Sequence, residues 1–141
     1  QALLPLTYFP QSRRIAMTDR FYGWTGAASI VLLGVCVLLL ILEHETAQAA
    51  ERGQGQALYQ THCASCHGVE ARGTGKGPTF LSKTYSPYLH ADIAFRLAVE
   101  RGVRAHHFRF GDMPKIPGVS REDVQAIVDY VRWLQREAGV Y

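Results

Sequence analysis

Cys63 and Cys66 are separated by two residues and followed at once by His67, in the run Cys63-Ala64-Ser65-Cys66-His67. Two thiols at that spacing reach one edge of a flat macrocycle and can add across the two vinyl groups of a porphyrin, while the adjacent imidazole is carried under the iron as an axial ligand. The run is therefore read as the attachment site of one c-type haem. Two other chemistries use such a cysteine pair. A zinc half-site needs a second Cys/His pair, but the remaining cysteine, Cys36, sits inside an apolar run. A thioredoxin-like dithiol needs a βαβ setting. Neither reading explains His67.

The elements that must position these five residues read as helices. The chain has 141 residues, of which about 91 follow from Glu51. That is near the low end for a self-sufficient core, and a buried porphyrin would add apolar volume. A helix is expected over about 53–61, delivering the chain to the cysteines. A second is expected over Asp92–Arg101, with Ile93 and Leu97, joined by Phe95 and Ala98, as its apolar stripe. Asp92 is its expected N-cap and Gly102 its stop. A third begins at Ser120, where Ser120-x-x-Asp123 has the form of a capping box, and runs to about Ala138. In it Val124, Ile127, Val128, Val131 and Leu134 recur at helical spacing and define a buried face. The expected fold class is all-α.

Several features outside the five residues resemble class I cytochromes c. Gly55, Leu58 and Tyr59 ahead of the cysteines look like that family's amino-terminal helix, whose small and aromatic residues pack against the carboxy-terminal helix. The resemblance implies that Tyr130 or Trp133 makes that contact. Gly77-Pro78-Thr79-Phe80-Leu81 resembles the family's G-P-x-L loop with one residue inserted. By that resemblance the Pro78 carbonyl accepts a hydrogen bond from His67 and Phe80 and Leu81 pack in the haem pocket. Met113-Pro114 resembles the segment that supplies the sixth ligand. Met17 precedes the apolar segment, leaving Met113 as the thioether available to the iron. The resemblance covers roughly the last 90 residues and implies one covalently bound haem c, with His67 and Met113 on the iron and Cys63, Cys66 and Pro78 completing the site.

Other residues carry weaker signals. The glycines at 68, 73, 75 and 77 do not have the spacing of a phosphate-binding loop. They are read as sites of tight turning and of close backbone approach to the porphyrin. His106 and His107 are the alternative sixth ligands, and otherwise a solvated or propionate-contacting pair. His62 and His90 are read as surface or capping residues.

The amino-terminal part follows a different pattern. Phe21 to Leu42 is a run of 22 residues without charge, long enough as a helix to span a bilayer. Arg13, Arg14 and Arg20 precede it and Glu43 and Glu45 follow, so the positive-inside rule puts the amino terminus in the cytoplasm. Tyr22 and Trp24 are placed at the inner membrane interface, and Cys36 is a packing or lipid-facing residue. The rival reading is a cleaved signal peptide, for which Ala47-Gln48-Ala49 has the right pattern. The apolar run is longer than a typical signal core, and Glu43 and Glu45 lie between it and that site. Met17 has the setting of an ordinary translation start. The organisation expected is a cytoplasmic segment over 1–20, a membrane anchor over 21–42, a flexible linker over 43–54 and a cytochrome c haem domain over 55–141.

The formal net charge of +3 is weak, and no nucleic-acid-binding motif accompanies it. The local run Arg101, Arg104 and Arg109 suggests instead a docking face for an acidic surface on a redox partner. Together these readings give a non-enzymatic electron carrier. It is expected to be single-pass in the cytoplasmic membrane, with its haem domain in the periplasm, transferring single electrons between membrane-bound redox complexes. Two alternatives stay open: a fixed electron-transfer subunit of an oxidase, dehydrogenase or photosynthetic reaction centre, and a haem enzyme or sensor with an open iron site.

Overall fold

In the computed structural model, which describes the backbone of residues 19–141 and side chains from residue 28 on, Asp19 to His62 form one continuous helix, α1. Arg13, Arg14 and Met17, and the side chains of Arg20, Tyr22 and Trp24, lie outside the described residues. The described residues divide into two units, one ending at His44 and the other running over 45–141.

In the first unit, the large apolar side chains from Ile30 to Leu42 are all exposed, between 48% and 72%. A row of aliphatic residues with no protein against it is what a helix presents to lipid. By length and composition α1 is able to cross a membrane.

Residues 43–54, expected as a flexible linker, are helical instead. Ala47, Ala49, Ala50, Gln48 and Glu51 are strong helix formers, and they outweigh the roughly 1 kcal/mol that a glycine such as Gly53 costs. In an Ala/Gly-rich stretch alanine favours helix and glycine favours coil, and here the alanines prevail.

The second unit is built from the carboxy-terminal part of α1, a four-residue turn α2 (Ala64–His67), α3 (Asp92–Arg101) and α4 (Arg121–Glu137). Short 3₁₀ turns lie at Val69–Ala71 and Lys83–Tyr85. No strand occurs among the described residues. One antiparallel bridge joins Val103 to Met113, and the fold is all-α as expected.

α3 has the expected span, but its N-cap is Ala91, with Asp92 the first helical residue. The Asp92 carboxylate is drawn away to Arg132, 2.8 Å from its Nε. Ile93 is 49% exposed, and Val99 is the buried residue of α3. At the head of α4 the capping box is complete. Ser120 Oγ accepts from the Asp123 backbone N–H, and the Asp123 carboxylate accepts from the Ser120 N–H. Val124, Ile127, Val128 and Val131 are buried, while Leu134 is partly buried.

The end of α1 crosses α4 at Gly55. A methyl group on Gly55 would strike the backbone carbonyl of Ala126, and its Cβ would lie 3.0 Å from Tyr130 Cβ. One residue turn later Tyr59, fully buried, meets Tyr130 with ring centroids 5.6 Å apart. Tyr130, rather than Trp133, makes the central contact, and Trp133 takes Arg52 over its ring at 5.7 Å. Gly55→Ala is expected to lower stability by about 1–3 kcal/mol through overpacking. Chemical denaturation of the haem-loaded protein checks this, and an unchanged midpoint would show that the helices separate without loss.

Candidate haem-binding site

The turn that carries the cysteines is held from both sides. Backbone bonds run from Cys63 N to Tyr59 O and from His67 N to Cys63 O, so α1 leads into α2 with hardly a break. The Tyr59 hydroxyl, buried, donates to the Gly68 carbonyl at 2.9 Å. Beyond the turn the chain folds back. Gly73 N donates to His67 O, Thr74 Oγ1 donates to Cys66 O, and Thr74 N donates to Gly77 O. The return passes so close that a Cβ on Gly77 would lie 2.9 Å from Cys66 O and 3.3 Å from His67 Nδ1. This is the position where the loop requires glycine for close approach. Within the loop Ala71 is fully buried at φ 59°. Its carbonyl, accepting from Phe80 N and Thr79 Oγ1, keeps it in that left-handed conformation.

His67 is buried, and its Nδ1 lies 3.0 Å from the Pro78 carbonyl. A carbonyl only accepts, so Nδ1 carries the proton and donates, and Nε2 keeps its lone pair. Burial lowers the His67 pKa, against an opposing contribution from the Pro78 carbonyl. The ring is thus neutral at neutral pH, the form in which imidazole ligates a metal. Phe80 stacks on it at 4.1 Å between centroids, a packing role in line with the expectation. Cys63 is buried and Cys66 exposed, and neither forms a disulfide. Burial, then the nearby charge of Cys66, pushes the Cys63 thiol up to about 11. It therefore stays protonated at neutral pH.

Met113 sits across the unit from this turn in sequence, yet its side chain lines the same cavity as Cys63 and His67. Its backbone is fixed by reciprocal bonds with Val103, both 2.9 Å. Gly102, at φ 75°, admits this pairing, because a Cβ there would lie 2.6 Å from Met113 O. The cavity measures about 460 Å³, and Phe80, Phe95, Val99 and Val128 contribute to its wall. A porphyrin held through two thioethers requires an adjacent thiol pair, a neutral imidazole with one nitrogen committed elsewhere, and a large apolar cavity. All three are present, so the residues fit the group.

Not every expectation concerned this cavity's ligands. His90, read as a surface or capping residue, is half-buried, bonds the Thr84 carbonyl and comes together with His106 and His107. Desolvation lowers the His107 pKa, as does the charge that His106 and His90 would carry. Arg132 and Gln135 were missed. Both are buried in α4 and bond to the loop that precedes α3. The signal available was a pair of polar residues three apart within the apolar register of the last helix.

A family model described as Cytochrome c matches residues 53–135. Cytochrome c-554(547) of Halothiobacillus neapolitanus is 27% identical over 92 residues, which cover 62% of this chain and 100% of that relative. No solved structure matches significantly.

Proposed function

This chain belongs to the cytochrome c family, and we propose that it is a membrane-anchored, monohaem electron carrier, not an enzyme, serving membrane-bound redox complexes from the periplasmic side. With the family come haem-based electron transfer and covalently bound haem c with its iron. The observation that carries the reading is the convergence of Cys63, His67 and Met113 on one largely apolar cavity.

In this reading Cys63 and Cys66 hold the porphyrin edge, each thiol adding its sulfur and hydrogen across a vinyl group. Bound haem supplies an iron that takes up and gives back one electron. His67 offers Nε2 to it, oriented by the Nδ1–H bond to Pro78. That bond fixes the ring and raises its basicity, as the outer partners of ligating histidines do. Met113 would hold the iron through the thioether. With His67 and Met113 both holding the iron, the group would have a raised reduction potential, suited to electron transfer and not to binding a substrate. Phe80, Phe95 and Val128 would give the group an apolar wall.

The anchor rests on the exposed aliphatic row from Ile30 to Leu42, with residues 1–20 cytoplasmic, 21–42 spanning the membrane and the haem domain beyond. A fixed electron-transfer subunit of a larger complex is the second reading. Arg101, Arg104 and Arg109 are exposed, and the first two contribute to the cavity wall. They are the proposed contact for an acidic partner surface.

Native membranes test the proposal. Alkaline carbonate washing is expected to leave the haem-stained chain in the membrane pellet, whereas its release would remove the anchor. In the same membranes, its reduction by the partner complex is expected to slow as salt rises and after charge reversal at Arg101 and Arg104. Rates indifferent to both would remove the docking face. Constant stoichiometry with one complex through detergent purification would decide for the subunit.

A further inference from the structure

His90, His106 and His107 each place one ring nitrogen within 4.8 Å of the other two. They come from two segments, the loop before α3 and the loop that carries Met113, so the grouping is not a local sequence accident. Centroids of His106 and His107 are 4.1 Å apart, and those of His90 and His107 are 5.2 Å apart. His90 Nδ1 lies 2.6 Å from the Thr84 carbonyl and His106 Nδ1 lies 2.7 Å from the Arg104 carbonyl. A carbonyl accepts only, so each Nδ1 donates, and in the neutral ring Nε2 is the nitrogen that holds the lone pair. A ring nitrogen bonded to a backbone carbonyl with its opposite nitrogen free is the arrangement found around metal-ligating histidines. The His90 loop is further secured because Arg132 donates to the His90 carbonyl.

We propose that His90, His106 and His107, which lie on the wall of the haem cavity, form a second metal site beside the iron that takes one divalent transition-metal cation of the Zn²⁺ kind through three imidazoles. Three imidazoles with a fourth position open to water are an established donor set for that cation. For three atoms 4.8 Å apart, the equidistant point is about 2.8 Å from each. A contraction of less than about 1 Å therefore reaches the Zn–N length of about 2.0–2.1 Å. His106 and His107 are exposed, and their rings are able to make that adjustment. The cation would enter a basic loop, beside Arg104 and Arg109, with Asp112 the carboxylate in the same loop. The coordination bonds have to outweigh that charge, so micromolar rather than tighter affinity is expected. A bound cation would tie the Met113 loop to the loop before α3.

The test is calorimetric titration of Zn²⁺ into the haem-loaded full chain in detergent, with Zn-edge X-ray absorption of the product. One Zn²⁺ per chain is expected, with three nitrogen neighbours at about 2.0 Å. His106→Gln and His107→Gln are each expected to weaken binding at least about tenfold, with an unchanged haem spectrum, and His62→Gln is expected to bind as the parent does. Absence of binding, an oxygen-only shell, or equal binding by the two variants would overturn the site. So would a haem spectrum altered by either variant, because that would put the imidazole on the iron.

Discussion

Met113→Ala is expected to convert a haem protein inert to carbon monoxide into one that binds it rapidly when reduced, and to lower its midpoint potential. The thioether is the group at stake. The bonds that hold residue 113 in place are backbone bonds to Val103, and they survive truncation of the side chain. The substitution thus removes the sulfur from the cavity wall while its loop stays pinned, so the effect is read on the iron and not on folding. Axial ligands set haem potentials over a range of roughly 0.8 V, and loss of methionine is a substantial step within it. Met113→His is the companion variant. It is expected to restore resistance to carbon monoxide at a potential below the parent's, since a second imidazole fills the position without the sulfur's preference for reduced iron. Carbon monoxide binding by the parent itself would support the enzyme or sensor alternative. A Met113→Ala protein with unchanged potential would transfer the sixth position to another residue, with His106 and His107 the first candidates.

How far the sequence discloses this site depends on the range of the interactions involved. The cysteine-histidine run is local, and so are the capping box of Ser120 and Asp123, the span of α3 and the buried face of α4. In each, the residues that decide the structure lie within one or two turns of one another, and the spacing is legible. The contact of Gly55 and Tyr59 with Tyr130 is long-range, and spacing alone leaves its partner undefined. It was reached through family resemblance, and the clash a Cβ at Gly55 would make with Ala126 supplies its physical reason. Residues 43–54 show a different limit. Alanine and glycine together look like a tether in a composition count, yet alanine's helix preference acts at each residue and extends α1 through the segment.

The histidine trio and the α4 network were illegible for a third reason. Residues 80–91 have little regular structure of their own, apart from the turn at Lys83–Tyr85. Their carbonyls cannot all be paired by neighbours in sequence, and buried carbonyls require partners. The partners are side chains some 42 to 55 positions away. A hydrophobicity pattern marks Arg132 only as an interruption in the apolar register. The same network fixes His90 opposite His106 and His107, so a cluster that looks like three unrelated histidines in the sequence becomes one site.

Arg132→Met is the variant expected to lower stability most, by about 3–5 kcal/mol, because it removes the charged donor at the centre of a buried network. The Arg132 side chain is only 6% exposed. It donates from Nε to Asp92 at 2.8 Å, from one terminal nitrogen to the Tyr85 carbonyl and to Gln135 Oε1, both at 2.7 Å, and from the other to the His90 carbonyl. The guanidinium also lies 5.0 Å from the Phe95 ring centroid. Methionine retains the aliphatic volume and none of these donors. Gln135 continues to serve the carbonyls of Phe80 and Tyr85 through Nε2. The His90 carbonyl loses its Arg132 donor, and Asp92 loses its ion-pair partner in the first turn of α3. The damage is therefore expected to concentrate at residues 85–92. Chemical denaturation of the haem-loaded protein measures the first effect, and amide hydrogen exchange the second, as faster exchange in that loop than in α4. A loss below about 1 kcal/mol would mean that the buried pair nearly balances its own desolvation. Uniform exchange throughout the unit would show that Arg132 stabilises the fold as a whole and does not position the loop. Because His90 is anchored through the same side chain, Arg132→Met should also weaken Zn²⁺ binding while leaving the iron's ligands in place.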